Sequence, residues 1–549
     1  MLHKNFLIVN LLILSTCATA MPEAHGQDQK PVLTVALSSV DDLTDKITFI
    51  TSTVGRPNAG HIASGMIRSF TVGLDRTRPA GIVVTTDGEQ LTPLGLVPVT
   101  DLKQFFASMA ERFGEPEDLG NGIMELALPV PIYVKEQEGW ALISQSEEAL
   151  QNVSGQPTKL LTKLTENYDL AFQGRIQNVP EQYRQRLLDQ MTAVIERQLD
   201  QLPDDQRELQ QQLHSAQIQQ WKSLLNDVDE LSFGWKIDDQ AKNTYIDFKM
   251  KAVPGTRLAR QYASLNDTSS KFTGFLKEKA AVKFNWAYGI PEEDVEQTLA
   301  VIQPLRDSTK QQLLESSDLD EESHRQAAAH VVDILFDVME QTIRTGKADG
   351  GGSFNIEPQN FSLMMGALVE DSRKLEEPLK ELAEKSASDN DMPKVKFNAD
   401  EYRGCRFHTI SVAITDEEAT KWVGDKIEVA VGIGDQEVYL SIGNDSVGQL
   451  KRVMDATAAD TEANAIPTQF YVYLAPIIRF ASQISDNLLL GPLADALAAT
   501  DDGGKISMIS KGIENGATVR MKVESGVLEA FGRTVGAMQG VPLGAGAGE

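Results

Sequence analysis

The chain has 549 residues, enough for two to four domains, with 41% hydrophobic and 24% charged residues, as in ordinary globular proteins. Its formal net charge of −28 argues against nucleic acid or an anionic lipid surface as partner, because both would be repelled. The only cysteines are Cys17 and Cys405, so loss of an N-terminal leader carrying the first leaves no intramolecular disulfide and a fold that must stand on its core.

Lys4, the apolar run Phe6–Leu14 and then Ala18-Thr19-Ala20 have the basic, apolar and small-residue layout of a secretory signal peptide over residues 1–20, with cleavage after Ala20. The run is too short to span a bilayer, and no later stretch is a transmembrane candidate. The expected location is therefore outside the cytoplasm, periplasmic or extracellular. Leu14-Ser-Thr-Cys17 approaches a lipobox, which leaves anchoring through a lipidated Cys17 as the rival reading, although Thr16 fits poorly before that cysteine. Removing residues 1–20 deletes Lys4 and no acid, taking the charge from −28 to −29.

Residues 21–30 read as a disordered leader, and residues 31–268 as a first α+β half. It begins with a strand at Val32–Leu37 and a helix through Leu43, Ile47 and Ile50, opened by a capping box at Ser39 and Asp42. Strands are expected at Ile67–Leu74 and Ala80–Thr86, an amphipathic helix at Thr100–Phe113 and a strand around Ile123–Leu128. Ile132–Val153 reads as strand, tight polar turn, strand, capping Ser146 and a short helix burying Leu150 and Val153. After a strand at Leu170–Ile176, a helical hairpin is expected over 180–227, its arms marked by Leu187, Leu188, Met191 and Val194 and by Trp221, Leu224 and Leu225, with a break at Pro203-Asp-Asp205. It reads either as a partner-binding arm or as a hairpin folded onto its own sheet. A strand hairpin, Glu230–Asp238 with Asn243–Val253, and a helix at Arg257–Ala263 close the half.

The same order restarts in residues 269–540: a strand at Ala281–Tyr288, helices from Pro291 and over His330–Thr345, and a turn at Gly350–Gly352 before Ser353–Ile356. A helix through Leu375, Leu379 and Leu382 follows, then a strand at Tyr402–Ile410. Ile427–Val453 then repeats the strand–turn–strand–cap–helix unit, with Asp445 or Ser446 as cap. Gln469–Leu474, a buried apolar helical segment at Ile477–Leu497, the hairpin Lys505–Val523 and the helix Leu528–Val535 complete the echo, leaving 541–549 as a flexible tail. The fold class expected is α+β: two homologous halves of mainly antiparallel sheet with packed helices.

The segment Gly139-Trp-Ala-Leu-Ile-Ser-Gln-Ser-Glu-Glu-Ala-Leu150 resembles those of the uncharacterised secreted, internally duplicated α+β proteins that planctomycete-type bacteria carry in many copies. The resemblance covers most of the mature chain. It implies a signal peptide and repeated α+β units, but no activity and no catalytic or binding residues.

Chemistry-bearing motifs are few. His324 and His330 are six apart, which places them on different faces of a helix. Cys405 and His408 are three apart, which on a strand points them to opposite faces and disfavours a dyad. Asp318-Leu-Asp-Glu-Glu322 lacks the glycine and terminal glutamate of a calcium loop, and turn chemistry accounts for Asp501-Asp-Gly-Gly504. Asn152, Asn266 and Asn360 lie in glycosylation-type sequons that carry little weight in a bacterial protein. There is no nucleophile elbow, Walker loop, dinucleotide fingerprint or His-Glu-x-x-His. No catalytic, cofactor-binding or metal-ligating residue is therefore named. The expected function is that of a non-catalytic binding or structural component of the periplasm or cell envelope, with a protein partner or an apolar ligand. The alternatives are a carrier that encloses an apolar ligand and a hydrolase with an unrecognised carboxylate site.

Overall fold

The structure is a computed structural model that describes residues 29–538 except 152, 154–156, 200–217, 219, 220, 267, 316–321, 359, 389–393, 415–419, 422, 461–465 and 486. The expected signal peptide 1–20, nearly all of the leader, the Pro203–Asp205 break with most of the return arm, the acidic run at 316–321 and the tail 541–549 lie outside the described residues. The protein is α+β, the strand pairings described within each unit are antiparallel, and the chain divides into units of residues 1–258 and 259–549.

Unit 1 runs β1 (Lys30–Leu37), α1 (Val40–Thr53), α2 (Pro57–Phe70), β2 (Ala80–Thr86), β3 (Leu91–Pro98), α3 (Leu102–Phe113), β4 (Glu117–Gly120), β5 (Ile123–Leu126), β6 (Ile132–Gln137) and β7 (Trp140–Ser144). It continues through α4 (Glu147–Gln151), α5 (Pro157–Thr165), β8 (Leu170–Arg175), α6 (Glu181–Leu199), β9 (Val228–Asp238) and β10 (Asn243–Ala252). The strands lie side by side in the order β4-β5-β6-β7-β3-β2-β1-β8-β9-β10.

After α7 (Arg257–Asn266), unit 2 runs β11 (Val282–Gly289), α8 (Glu292–Glu315), α9 (Glu322–Arg344), β12 (Lys347–Glu357), β13 (Asn360–Leu368), α10 (Glu376–Ser388), β14 (Lys394–Tyr402), β15 (Cys405–Ala413), β16 (Lys426–Ile433) and β17 (Glu437–Gly443). Then come α11 (Ser446–Ala459), β18 (Thr468–Tyr473), α12 (Leu474–Ile484), α13 (Leu490–Ala498), β19 (Lys505–Ile513), β20 (Gly516–Glu524) and α14 (Ser525–Met538). Its strand order, β14-β15-β16-β17-β13-β12-β11-β18-β19-β20, matches that of unit 1 place for place.

Local chemistry explains the repeated hairpin in unit 1. Glu138 (φ 53°) and Gly139 (φ 72°) make the two-residue left-handed turn that closes β6 on β7 with Gln137 opposite Trp140. Ser146 Oγ then accepts the Ala149 N–H at 3.2 Å and opens α4. In unit 2 the cap differs from expectation. Asp445 sits at the N-cap in a left-handed conformation without a capping bond, and Ser446 Oγ donates instead to the Glu428 carbonyl at 2.7 Å.

Four expected elements are corrected. Of the strand expected at Ile67–Leu74, Ile67–Phe70 is the end of α2 and 71–74 a turn leading to a lone bridge between Leu74 and Val99, because Pro57 starts a helix and Gly60 lets it approach α1; a Cβ there would stand 2.2 Å from Thr51 Oγ1. The turn at Gly350–Gly352 is the middle of β12. Neighbouring rings occupy the space of the missing side chains, so a Cβ at Gly350 would meet Trp286 at 2.5 Å and one at Gly352 would meet Phe284 at 2.8 Å. Tyr402–Ile410 is not one strand, since Arg403 (φ 49°) and Gly404 (φ 80°) turn the chain from β14 into β15. Ile477–Leu497 is two helices, and Ile484 and Leu488 between their cores are exposed rather than buried.

In unit 1 the core lies on both sides of the sheet. Ala36, Val83, Leu94, Leu142 and Leu161 pack on one face, and Val99, Leu102, Phe106 and Val134 on the other. The main core of unit 2 is Phe272, Phe275, Phe407, Tyr439 and Leu450.

Candidate functional site

The central strands β1 and β2 carry apolar residues on both faces, whereas an antiparallel sheet covered on one side ordinarily alternates apolar and polar residues. In β1, Thr34 and Ala36 point to the buried side, and Leu33, Val35 and Leu37 point to the other. The register continues that outer side across five strands as the row Phe248–Phe233–Phe172–Val35–Ile82, flanked by Ile246–Trp235–Leu170–Leu37. Phe172 is 42% exposed, Phe248 43% and Trp235 37%, although each is large and apolar. The Trp235 indole N–H donates to Thr244 Oγ1 at 2.7 Å, which satisfies its polar end and leaves the ring as the surface. On this face α3 packs over Val97, Val134 and Ile143 at the β3–β7–β6 end of the sheet.

Unit 2 presents the same side in the same way. Met521–Met508–Phe470–Phe284 run across β20, β19, β18 and β11, and Gly352, Met365 and Leu440 carry the row onward. Phe284 stacks on Trp286 at 5.7 Å between centroids and lies 6.2 Å from Phe470. Single exposed apolar residues need no explanation, but contiguous rows mark an interaction or ligand surface. Covering one such ring fully contributes about 2 kcal/mol, from the exposed part of its area at about 25 cal/mol per Å².

The helical crossovers between the first two strands add a second apolar feature. Within unit 1, α1 and α2 meet through small and polar groups, including Thr48 Oγ1 and Ser64 Oγ at 3.4 Å, and Lys46 ties α1 to Asp239 at 2.5 Å. The apolar residues Ile62, Met66 and Phe70, four apart on α2, remain exposed. Within unit 2, α8 and α9 are joined by ion pairs, Arg306 to Asp333 at 2.8 Å and Lys310 to Asp333 at 2.7 Å, while Val331, Leu335 and Met339 on α9 are exposed.

Unit 2 also has a cleft of about 380 Å³ lined by Ser270, Lys271, Arg403, Glu437, Tyr439 and Asp460 among others. Its charged groups hold one another. Arg403 pairs with Asp455 at 2.8 Å, Asp460 with Lys277 at 3.7 Å, and the Tyr439 hydroxyl donates to Glu437 at 2.8 Å. Behind it Asp349 accepts bonds from Ser270 Oγ and the Lys271 N–H, both at 2.7 Å, and burial raises its pKa. Ser270 and Asp349 are both buried, and their bonds to the Phe272 and Lys271 N–H groups give the pair a structural role in that turn.

The residues singled out from sequence are placed as follows. Cys405 and His408 are both buried but belong to opposite faces of β15. Burial pushes the Cys405 thiol up to about 11, in the core beside Tyr439, and holds His408 down to about 4, its Nδ1 accepting the Asn398 N–H at 3.2 Å. Both are neutral near pH 7 and form no dyad. His330 is exposed on α9, and among the described residues no three His, Cys, Asp or Glu side chains are grouped to hold a metal. Asp502 accepts the backbone N–H of Gly504 and Gly526 at 2.8 and 3.2 Å, a structural role in its turn. Among the described residues no helix is long and apolar enough to cross a membrane. The sequence signal of the exposed rows is the run Val32–Leu37, apolar at every position but Thr34 where alternation is expected. No protein family, curated protein sequence or solved structure gives a match to this chain.

Proposed function

We propose that the protein is an exported, non-catalytic binding component of the periplasm or cell envelope that works through the apolar outer face of its sheets. The row Phe248–Phe233–Phe172–Val35–Ile82 carries this reading, because burying its exposed rings is favourable. The exposed stripes on α2 and α9 support it. We also read the two units as homologous halves of one duplicated ancestor, on the strength of their matching strand orders. The helical hairpin expected over 180–227 remains part of the proposal as a second contact surface, since Leu187 and Val194 on α6 and Trp221 are exposed.

A carrier of an apolar ligand is the second reading, favoured by the aromatic content of the row, as rings pack well against acyl or polycyclic surfaces. Native mass spectrometry of protein isolated gently from its host separates the two. A protein-sized adduct supports the partner reading and a lipid-sized one the carrier. In either case Phe172→Asp with Phe233→Asp is expected to abolish the adduct while the far-UV spectrum stays unchanged. Retention of the adduct by this folded variant would refute the assignment of the face.

A further inference from the structure

The opposite, inner face of unit 2 carries a second surface, unrelated in chemistry to the apolar rows. The Ala287 N–H donates to the Pro467 carbonyl at 2.6 Å as the Ser38 N–H donates to the Asp169 carbonyl at 2.8 Å, which aligns β11 and β18 with β1 and β8. At the places where unit 1 has the fully buried pair Ala36 and Ala171, unit 2 has the cross-strand pair Asn285 and Gln469. Asn285 is 1% exposed and neither its Nδ2 nor its Oδ1 has a hydrogen-bond partner. Gln469 is 5% exposed; its Oε1 accepts the Tyr471 hydroxyl at 2.9 Å, but its Nε2 is unpartnered. Ser353, opposite Lys283 on β12 and 1% exposed, leaves its Oγ unpartnered as well. Buried polar groups without partners are destabilising, and the two amides are not needed for the fold, since alanine serves at both equivalent places.

Toward the open side of the same face, cations and aromatic rings alternate. Lys283 Nζ lies 5.4 Å from the Tyr473 ring centre and Lys505 Nζ lies 5.2 Å from that of Tyr471. Among the described residues neither lysine has a carboxylate within ion-pairing distance, and Lys283 donates only to the Glu278 carbonyl at 3.2 Å. Burial and the charge of Lys505 lower the pKa of Lys283. In unit 1 Thr34 and Glu230 stand at the places of the two lysines, and Glu230 pairs with Arg175, at the place of Tyr473, at 3.4 Å. Glu278 offsets part of the Lys283 charge without an ion pair, and two lysines lacking such a pair in a chain of net charge −28 invite an anion.

We infer that the inner face of β11, β12, β18 and β19 is a binding site for a small hydroxylated organic anion. Its charge would lie between Lys283 and Lys505, its ring or chain against Tyr471 and Tyr473, and its hydroxyls on Asn285, Gln469 and Ser353. This site belongs to unit 2 alone, so the duplicated halves have diverged in what they hold.

The test is calorimetric titration of the full-length protein with D-glucuronate, D-glucose and inorganic phosphate. Glucuronate is expected to bind more tightly than either of the others. Lys283→Met with Lys505→Met is expected to weaken it about tenfold or more, the loss typical of charge-assisted bonds. Asn285→Ala with Gln469→Ala, copied from unit 1, is expected to weaken it while holding or raising the melting temperature. Failure of glucuronate to bind, or binding no tighter than that of glucose, overturns the site. So does binding that matches phosphate and is indifferent to the two alanines, which would reduce the site to attraction by two lysines.

Discussion

His408 shows how a buried titratable group acts on stability without serving chemistry. Its ring packs on Phe397 at 4.3 Å between centroids, its Nε2 has no partner, and burial holds its pKa down to about 4 against an ordinary 6.5. The folded protein therefore keeps His408 neutral where the unfolded chain would take up a proton. Its contribution is fully present above about pH 6.5 and is lost as pH falls toward about 4, by up to about 3 kcal/mol. Thermal melts between pH 7.5 and 4.5 should show this loss, and His408→Phe should flatten it. An unchanged profile in that variant would place the acid sensitivity elsewhere, with Asp75 and Asp87 as the next groups to test, because hydrogen bonds lower both; Asp349 and Glu278, raised by burial, would act in the opposite direction. In sequence His408 invited pairing with Cys405, and strand parity was enough to separate them. Their desolvation has separate tertiary causes: α11 and the Phe272–Phe275 segment lie over Cys405, and Phe397 of β14 packs on His408.

Among the elements, β12 and α2 are where local pattern and final structure part. Three consecutive glycines normally read as a turn, since glycine weakens a strand. In β12 the penalty is offset by aromatic rings from β11 that fill the vacated space, and that compensation is invisible without the register. Gly350→Ala should therefore lower stability by about 1–3 kcal/mol through overpacking against Trp286, measured by denaturant unfolding. A neutral result would mean the Trp286 ring can swing aside. In α2 the apolar residues Ile62, Met66 and Phe70 are spaced for a helix but face away from α1, so no buried side marks the helix as amphipathic in the usual sense. The elements that were legible, such as α3, β8 and the β9–β10 hairpin, have clear caps or clear alternation.

For the whole molecule, the two units each own a core and a complete strand order, with no disulfide available to the described residues because Cys405 is free and buried. Residues 29–258 and 259–538, expressed separately, are each expected to melt cooperatively. A fragment that stays unfolded alone would show that the unit depends on the rest of the chain.

The amino-acid sequence by itself determined the acidic charge, the α+β class and the recurrence of a strand–turn–strand–helix unit, because these rest on composition and on patterns a few residues long. Only the tertiary structure decided which side of each strand is covered. A run such as Val32–Leu37 carries apolar groups on both sides, and whether a helix packs over one or both depends on elements far away in the chain. The same holds for Asn285, Ser353 and Gln469. They stand 68 and 116 residues apart in sequence, and only strand pairing makes them one polar surface.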